Sequence, residues 1–215
     1  MIKKESISKT AIFLFFFCIF LLISNGRFGG DGLENYLTAE SIVLDKDFSI
    51  HDRPFDVPEM RYEVRGHAAS DGKMYSNYGL GMAFILVPFY FAGHILARVI
   101  TKVPHDYVTQ FFVSLSSPAI LALLSLTIFI FLRKLGYSLK TSFTAVSIYS
   151  LCTINIVYAR SGFSEPLVAC LIMLAVLAVF NYLKHNSLLS LIASGSYIGY
   201  TIFIKKNSII LLPAF

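Results

Sequence analysis

The stretch LGMAFILVPFYFAGHILARVI, residues 80–100, poses the architectural question of this chain. It is apolar enough to enter a membrane. Yet it carries Pro88, Gly93 and His94, and it runs out into Arg98 and Lys102. A proline interrupts helix hydrogen bonding, and ionisable groups are costly in hydrocarbon. Whether this run crosses sets the sidedness of everything after it.

Charge gives a test by parity. The loop RKLGYSLK, Arg133–Lys140, has three bases and no acid, as cytoplasmic loops do. The N-terminus, with Lys3, Lys4 and Lys9, carries the same signal. Two segments on one side must be separated by an even number of crossings. Three apolar runs intervene: 8–24, 80–100 and Val108–Leu132. One of them should not cross, and 80–100 is the weakest. We expect it to be a juxtamembrane or re-entrant helix on the outer side. The alternative is an ordinary crossing with the basic loop outside.

Composition supports a membrane protein. The chain has 215 residues, 56% hydrophobic and 14% charged, with a mean hydropathy of +0.68. Soluble domains carry about 25% charged residues. The net charge of +5 is uneven: residues 25–79 hold ten acids and six bases, and the rest holds three acids and twelve bases. Those bases sit in short loops between apolar runs, so they read as topology signals rather than a nucleic-acid patch. Further apolar runs are Phe143–Tyr158, Pro166–Leu183 and Leu188–Ile204. Cys18, Cys152 and Cys170 lie in apolar runs and suggest small buried residues, not a disulfide framework. The first run could be a signal peptide, but no A-x-A-like site follows it. An uncleaved helix over 8–24 is the preferred reading.

The acids gather after that first helix, in GGDGLENYLTAESIVLDKD, residues 29–47. Leu33, Tyr36, Leu37 and Leu44 recur at helical spacing. This predicts an amphipathic helix on the outer surface, with its acids mostly on the wet face. An irregular loop should follow, with a turn at Asp71-Gly72. The expected fold is all-α: a polytopic transmembrane helix bundle with a long outer loop bearing amphipathic juxtamembrane helices. It reads as one membrane domain over 1–215: a first helix 8–24, an outer loop 25–79, and the remaining helices 80–215.

By the parity argument three features share the outer face. They are Asp31 with Glu34, the turn ARSGFSEP with Arg160 and Glu165, and FIKKN with Lys205 and Lys206. Cations there could stabilise a departing phosphate, and a carboxylate could take a proton from an acceptor hydroxyl. Each feature also has a plainer explanation. Asp31 with Glu34 resembles a capping box. Glu165, before Pro166, could simply favour a helix N-terminus. Arg160 could snorkel to headgroups. The lysines could anchor a helix end. Asp71, Lys73, Tyr75 and Tyr78 could be ordinary loop residues or line the mouth of a site. The five histidines show no ligand spacing, so no metal ligand is assigned.

The order of these segments resembles the GT-C superfamily of polyprenyl-phosphate-sugar glycosyltransferases, near its protein mannosyltransferase and aminoarabinose transferase branch. The segments that carry the likeness are GGDGLENYLTAESIVLDKDFSI after the first helix, SDGKMYSNYGLGMAFILVPFYFAG, RKLGYS, YARSGFSEPLVACLIMLAVLAVF and ASGSYIGYTIFIKKNSIILLP. The resemblance implies a catalytic base at Asp31 and inversion at the anomeric carbon. It implies a second acid, Glu165, lining the cavity. Arg160, Lys205 and Lys206 would hold the lipid phosphate, with Tyr75 and Tyr78 at the mouth. The family often has an Asp-Glu pair at the base. Here Gly32 follows Asp31, so Glu34 takes the place of a second catalytic candidate.

The implied partners are a lipid-linked sugar donor, the lipid bilayer and an unidentified glycan, lipid or protein acceptor, with no nucleic acid. No cofactor is expected, and a divalent metal is left open. The expected location is the cell (inner) membrane, with the N-terminus cytoplasmic. Family members are longer, so the chain is expected to be the N-terminal part of such an enzyme. The rival class is a non-catalytic membrane protein, such as a transporter component or assembly subunit, or an inactive fragment of the enzyme.

Overall fold

The computed structural model describes residues 8–51 and 66–214, with side chains through residue 210. The N-terminal lysines Lys3 and Lys4, and the expected irregular loop over 52–65, lie outside the described residues. The rest is helical with one small β-hairpin. In chain order the elements are α1 (Lys9–Ile23), α2 (Asp31–Leu44), β1 (His67–Ala68), β2 (Met74–Tyr75), α3 (Leu80–Val99), α4 (His105–Ser114) and α5 (Ser116–Lys134). Then come α6 (Leu139–Leu151), α7 (Asn155–Tyr158), α8 (Glu165–His185), α9 (Leu188–Ile204) and a closing 3-10 helix, Lys206–Ala214. Three helical stretches are long and apolar enough to cross a membrane: α3, the α4–α5 pair that only Leu115 divides, and α8. Helices α1 and α9 are equally apolar but shorter.

Contacts define two ends of the bundle. At one, Ser117 Oγ donates to the carbonyl of Ser161 at 2.9 Å, and Lys205 pairs with Glu165. Phe28, just past α1, lies against Gly162. At the other end, Lys134 Nζ donates to Asn181 Oδ1 at 2.8 Å, and Phe15 and Phe16 meet Phe143 near the start of α6. So α1 and α5 run antiparallel. The basic loop 135–138 shares its end with the start of α1 and with the α8–α9 turn at Asn186.

Helices α3 and α4 form a hairpin. Helix α3 starts beside Ile204, at the acidic end, and α4 returns to Ser116 at that same end. The hairpin is drawn close at Gly93, where a Cβ would sit 2.9 Å from the Thr109 Cα. Near its tip, His105 Nε2 meets His94 Nδ1 at 3.1 Å, and Arg98 donates to His94 Nε2 at 2.8 Å. Pro88 is accommodated inside α3.

Helix α2 corrects the sequence reading. It is not an amphipathic helix with a wet face: every residue from Gly32 to Ser41 is buried. It packs on α3, where Leu33, Tyr36 and Leu37 join Met82, Ala83, Leu86 and Tyr90 in one core. Glu34 and Glu40 are buried because they have partners, which burial of a charge requires. Tyr90 donates to Glu40 Oε1 at 2.9 Å, and the Tyr36 hydroxyl meets Thr109 Oγ1 at 3.0 Å. Nor does Asp31 cap the helix. Gly30 takes the N-cap position, and Asp31 and Glu34 stand in the first turn. A second core joins α1 to α5 and α6 through Ile12, Phe16, Phe20, Leu121, Phe129 and Val146. Of the cysteines, Cys170 is buried, but Cys18 in α1 and Cys152 just past α6 are exposed.

Candidate functional site

Two backbone contacts assemble the acidic end. Helix α2 meets the turn before α8 at Gly32, where a Cβ would stand 2.7 Å from the Gly162 Cα. This brings Asp31 to the start of α8, where Glu165 stands with Pro166 in the first turn. Likewise, a Cβ on Gly79 would lie 2.4 Å from the Phe203 carbonyl oxygen, and one on Gly81 would lie 2.6 Å from Ile204 Cγ1. That contact sets the turn before α3 against the end of α9 and the lysines beyond it. Only residues without side chains permit such approaches.

Four sequence-predicted residues converge there. The Tyr78 phenol faces the Asp31 carboxylate, with Glu34 and Glu165 also in electrostatic reach. The Asp31 carboxylate first, then partial burial, pushes the Tyr78 phenol up to about 12, so it is neutral at physiological pH. Glu165 Oε1 accepts from Lys205 Nζ, while its Oε2 is shielded and has no partner. The pair is half-open, with Lys205 33% and Glu165 42% exposed. Lys206 is exposed and has no ion-pair partner among the described residues.

A cleft of about 400 Å³ opens between the turn and the end of α9. His67, Ser76, Asn77, Tyr78 and Gly79 form one wall; Ile204, Lys205, Lys206 and Asn207 form the other. Its rim offers hydroxyl, amide and ammonium groups, suited to a polar or anionic guest.

Two predicted residues stand apart. Arg160 is exposed at the same end, but it does not line the cleft. Tyr75 lies in β2, where its hydroxyl donates to Asp71 Oδ2 at 2.8 Å and its ring tilts against His67. The hairpin turns at Gly72, as Asp71-Gly72 predicts, and Lys73 ties it to Asp47. Sequence reading missed His67, Ser76, Asn77 and Asn207. Ser76-Asn77 does carry a turn signal just before the Gly79–Leu80 helix start. Among the described residues, no group of three His, Cys, Asp or Glu side chains could hold a metal ion.

No protein family, curated protein or solved structure matches this chain. The site therefore rests on its own geometry.

Proposed function

We propose that the chain is a multi-pass membrane glycosyltransferase, similar in plan to the GT-C superfamily. It would move a sugar from a polyprenyl-phosphate carrier to an acceptor on the outer face. The observation that carries this reading is the meeting of Asp31, Tyr78, Glu165 and Lys205 beside a polar cleft at one end of an apolar helix bundle. In the reaction, the Asp31 carboxylate takes the proton of the acceptor hydroxyl. The acceptor oxygen bonds to the anomeric carbon as the carbon–phosphate oxygen bond breaks on the opposite side. Negative charge then grows on the departing polyprenyl phosphate. Lys206 and Lys205 are placed to offset it, with Arg160 at the same end as a headgroup contact. A ligand phosphate would compete with Glu165 for Lys205.

The bundle geometry supports the sidedness this needs. The α3–α4 hairpin leaves and rejoins the acidic end, and on this reading it stays on one side while α1 and α5 would supply the even pair of crossings between the N-terminus and the basic loop. The acidic end is then outside and the basic loop cytoplasmic.

The test is transfer in membranes from polyprenyl phosphates carrying radiolabelled mannose, galactose or aminoarabinose. Asp31→Asn should lower transfer by at least about 100-fold, the usual range for a general base. Undiminished transfer by Asp31→Asn would sink the base assignment. A second reading, a transport or assembly subunit, draws on the Lys205–Glu165 pair, which commits one site cation to a structural partner. It would gain if wild type transferred no sugar while Glu165→Gln lost solute uptake.

A further inference from the structure

Glu34 was one of two catalytic candidates, and its surroundings argue for a different task. Its residue is 5% exposed. Its carboxylate is spent on the turn before α3. Ser76 Oγ donates to Glu34 Oε2 at 3.1 Å, and the Asn77 backbone N–H donates to the same oxygen at 2.9 Å. The Asn77 amide reaches Oε1 at 3.4 Å. Ser76 Oγ then accepts the Tyr78 backbone N–H at 3.0 Å. A continuous path thus runs from the buried carboxylate through Ser76 to Tyr78, which faces Asp31. Oε2 is filled by two donors, Oε1 faces the Asn77 amide, and the residue is buried, so the carboxylate is engaged with the protein rather than turned to a substrate. Hydrogen bonds to an ionised acceptor are the strong kind and fix geometry.

Resting on the glycosyltransferase reading, we propose that Glu34 is a positioning residue. It clamps the Ser76–Asn77–Tyr78 turn to α2, and so fixes both the cleft wall and the Tyr78 phenol beside the Asp31 base. The clamp also explains why Glu34 is buried while Asp31, three residues earlier, stays partly open.

The clamp and the base differ in kinetics. Glu34→Gln keeps the shape and can still accept from the Asn77 N–H. But it loses the negative charge that both Oε2 donors face, and its amide sets donors against the Asn77 side-chain amide at the Oε1 position, so the turn loosens. We expect KM for the labelled polyprenyl-phosphate sugar to rise about tenfold, with kcat within roughly threefold of wild type, as for loss of ground-state positioning. Ser76→Ala should act in the same direction, more weakly. Amide exchange at Asn77 and Tyr78 should speed up in Glu34→Gln at least about tenfold, as expected where the turn's protecting hydrogen bonds weaken by roughly 1.4 kcal/mol. Exchange in α5 and α8 should be unchanged, which separates the clamp from global unfolding.

Glu34→Gln overturns the proposal if kcat collapses as in Asp31→Asn. So does unchanged exchange at Asn77 and Tyr78, a readout that needs no activity. If wild type transfers no sugar, the glycosyltransferase reading fails by itself, and the exchange result still decides whether the clamp exists.

Discussion

At the scale of single residues, the molecule separates carboxylates that look alike in sequence. Asp31, Glu34 and Glu40 share one helix, yet Glu34 holds a turn, Glu40 accepts from Tyr90, and Asp31 faces a phenol. The phenol gives a direct probe. Tyr78 has its usual value near 10 raised to about 12 by Asp31. A raised phenol favours the folded state while it stays neutral. That contribution is present below pH 10 and is lost as pH rises through about 12. In the tyrosinate difference spectrum of wild type against Tyr78→Phe, this ring should ionise late, and Asp31→Asn should bring it back toward 10. An unmoved midpoint would mean the two groups do not meet. Asp31, Glu165, Lys205 and Tyr78 were legible from residue type and order. The pairing of Lys205 with Glu165, and the clamp on Ser76, were not: each joins residues about 40 apart in the chain, a separation that local pattern does not encode.

At the scale of elements, apolar runs translate well into helices, because a helix satisfies its own backbone wherever water is excluded. The run Leu188–Ile204 is a helix with those very bounds. The long run Val108–Leu132 is more interesting, since its helix begins earlier, at His105, as the return arm of the α3–α4 hairpin. The misjudged element is α2. Its mixture of Leu, Tyr, Glu, Asn and Thr mimics an amphipathic surface helix. In fact all its faces are covered, because α3 and the turn at 76–78 supply partners to its polar side. Helix α2 also depends on its contact at Gly32. A methyl group there would push against the Gly162 backbone at 2.7 Å. Gly32→Ala should therefore lower stability in detergent by about 1–3 kcal/mol, the usual cost of overpacking. Gly195→Ala, which meets nothing within 4 Å, should not. Thermal melts of the two variants measure this. Equal melting temperatures would mean that α2 is not seated on the α8 turn.

For the whole molecule, the decisive arrangement is polarity between ends. The acids, the lysines and the cleft lie at one end; Arg133, Lys134 and the turn at Asn186 lie at the other. Charge counting anticipated this separation, because loop charges carry membrane orientation. It could not show how the acidic end closes, since backbone-to-backbone contact leaves no mark in hydropathy. Reporter fusions at Ser138 and Gly162 should land on opposite faces of the membrane, with Ser138 inside. If both report the same side, the one-sided site is wrong. The closure at Gly79 and Ile204 has a further consequence, in time rather than space. Asp31 is synthesised about 170 residues before Lys205. At roughly 5–20 residues per second of synthesis, Asp31 and the turn beside it wait on the order of ten seconds or more for α9. During biogenesis, then, this end of the protein is incomplete until α9 arrives. An insertion helper would be most needed in that interval, while Glu165 lacks Lys205 and the Gly79 turn lacks its wall of α9.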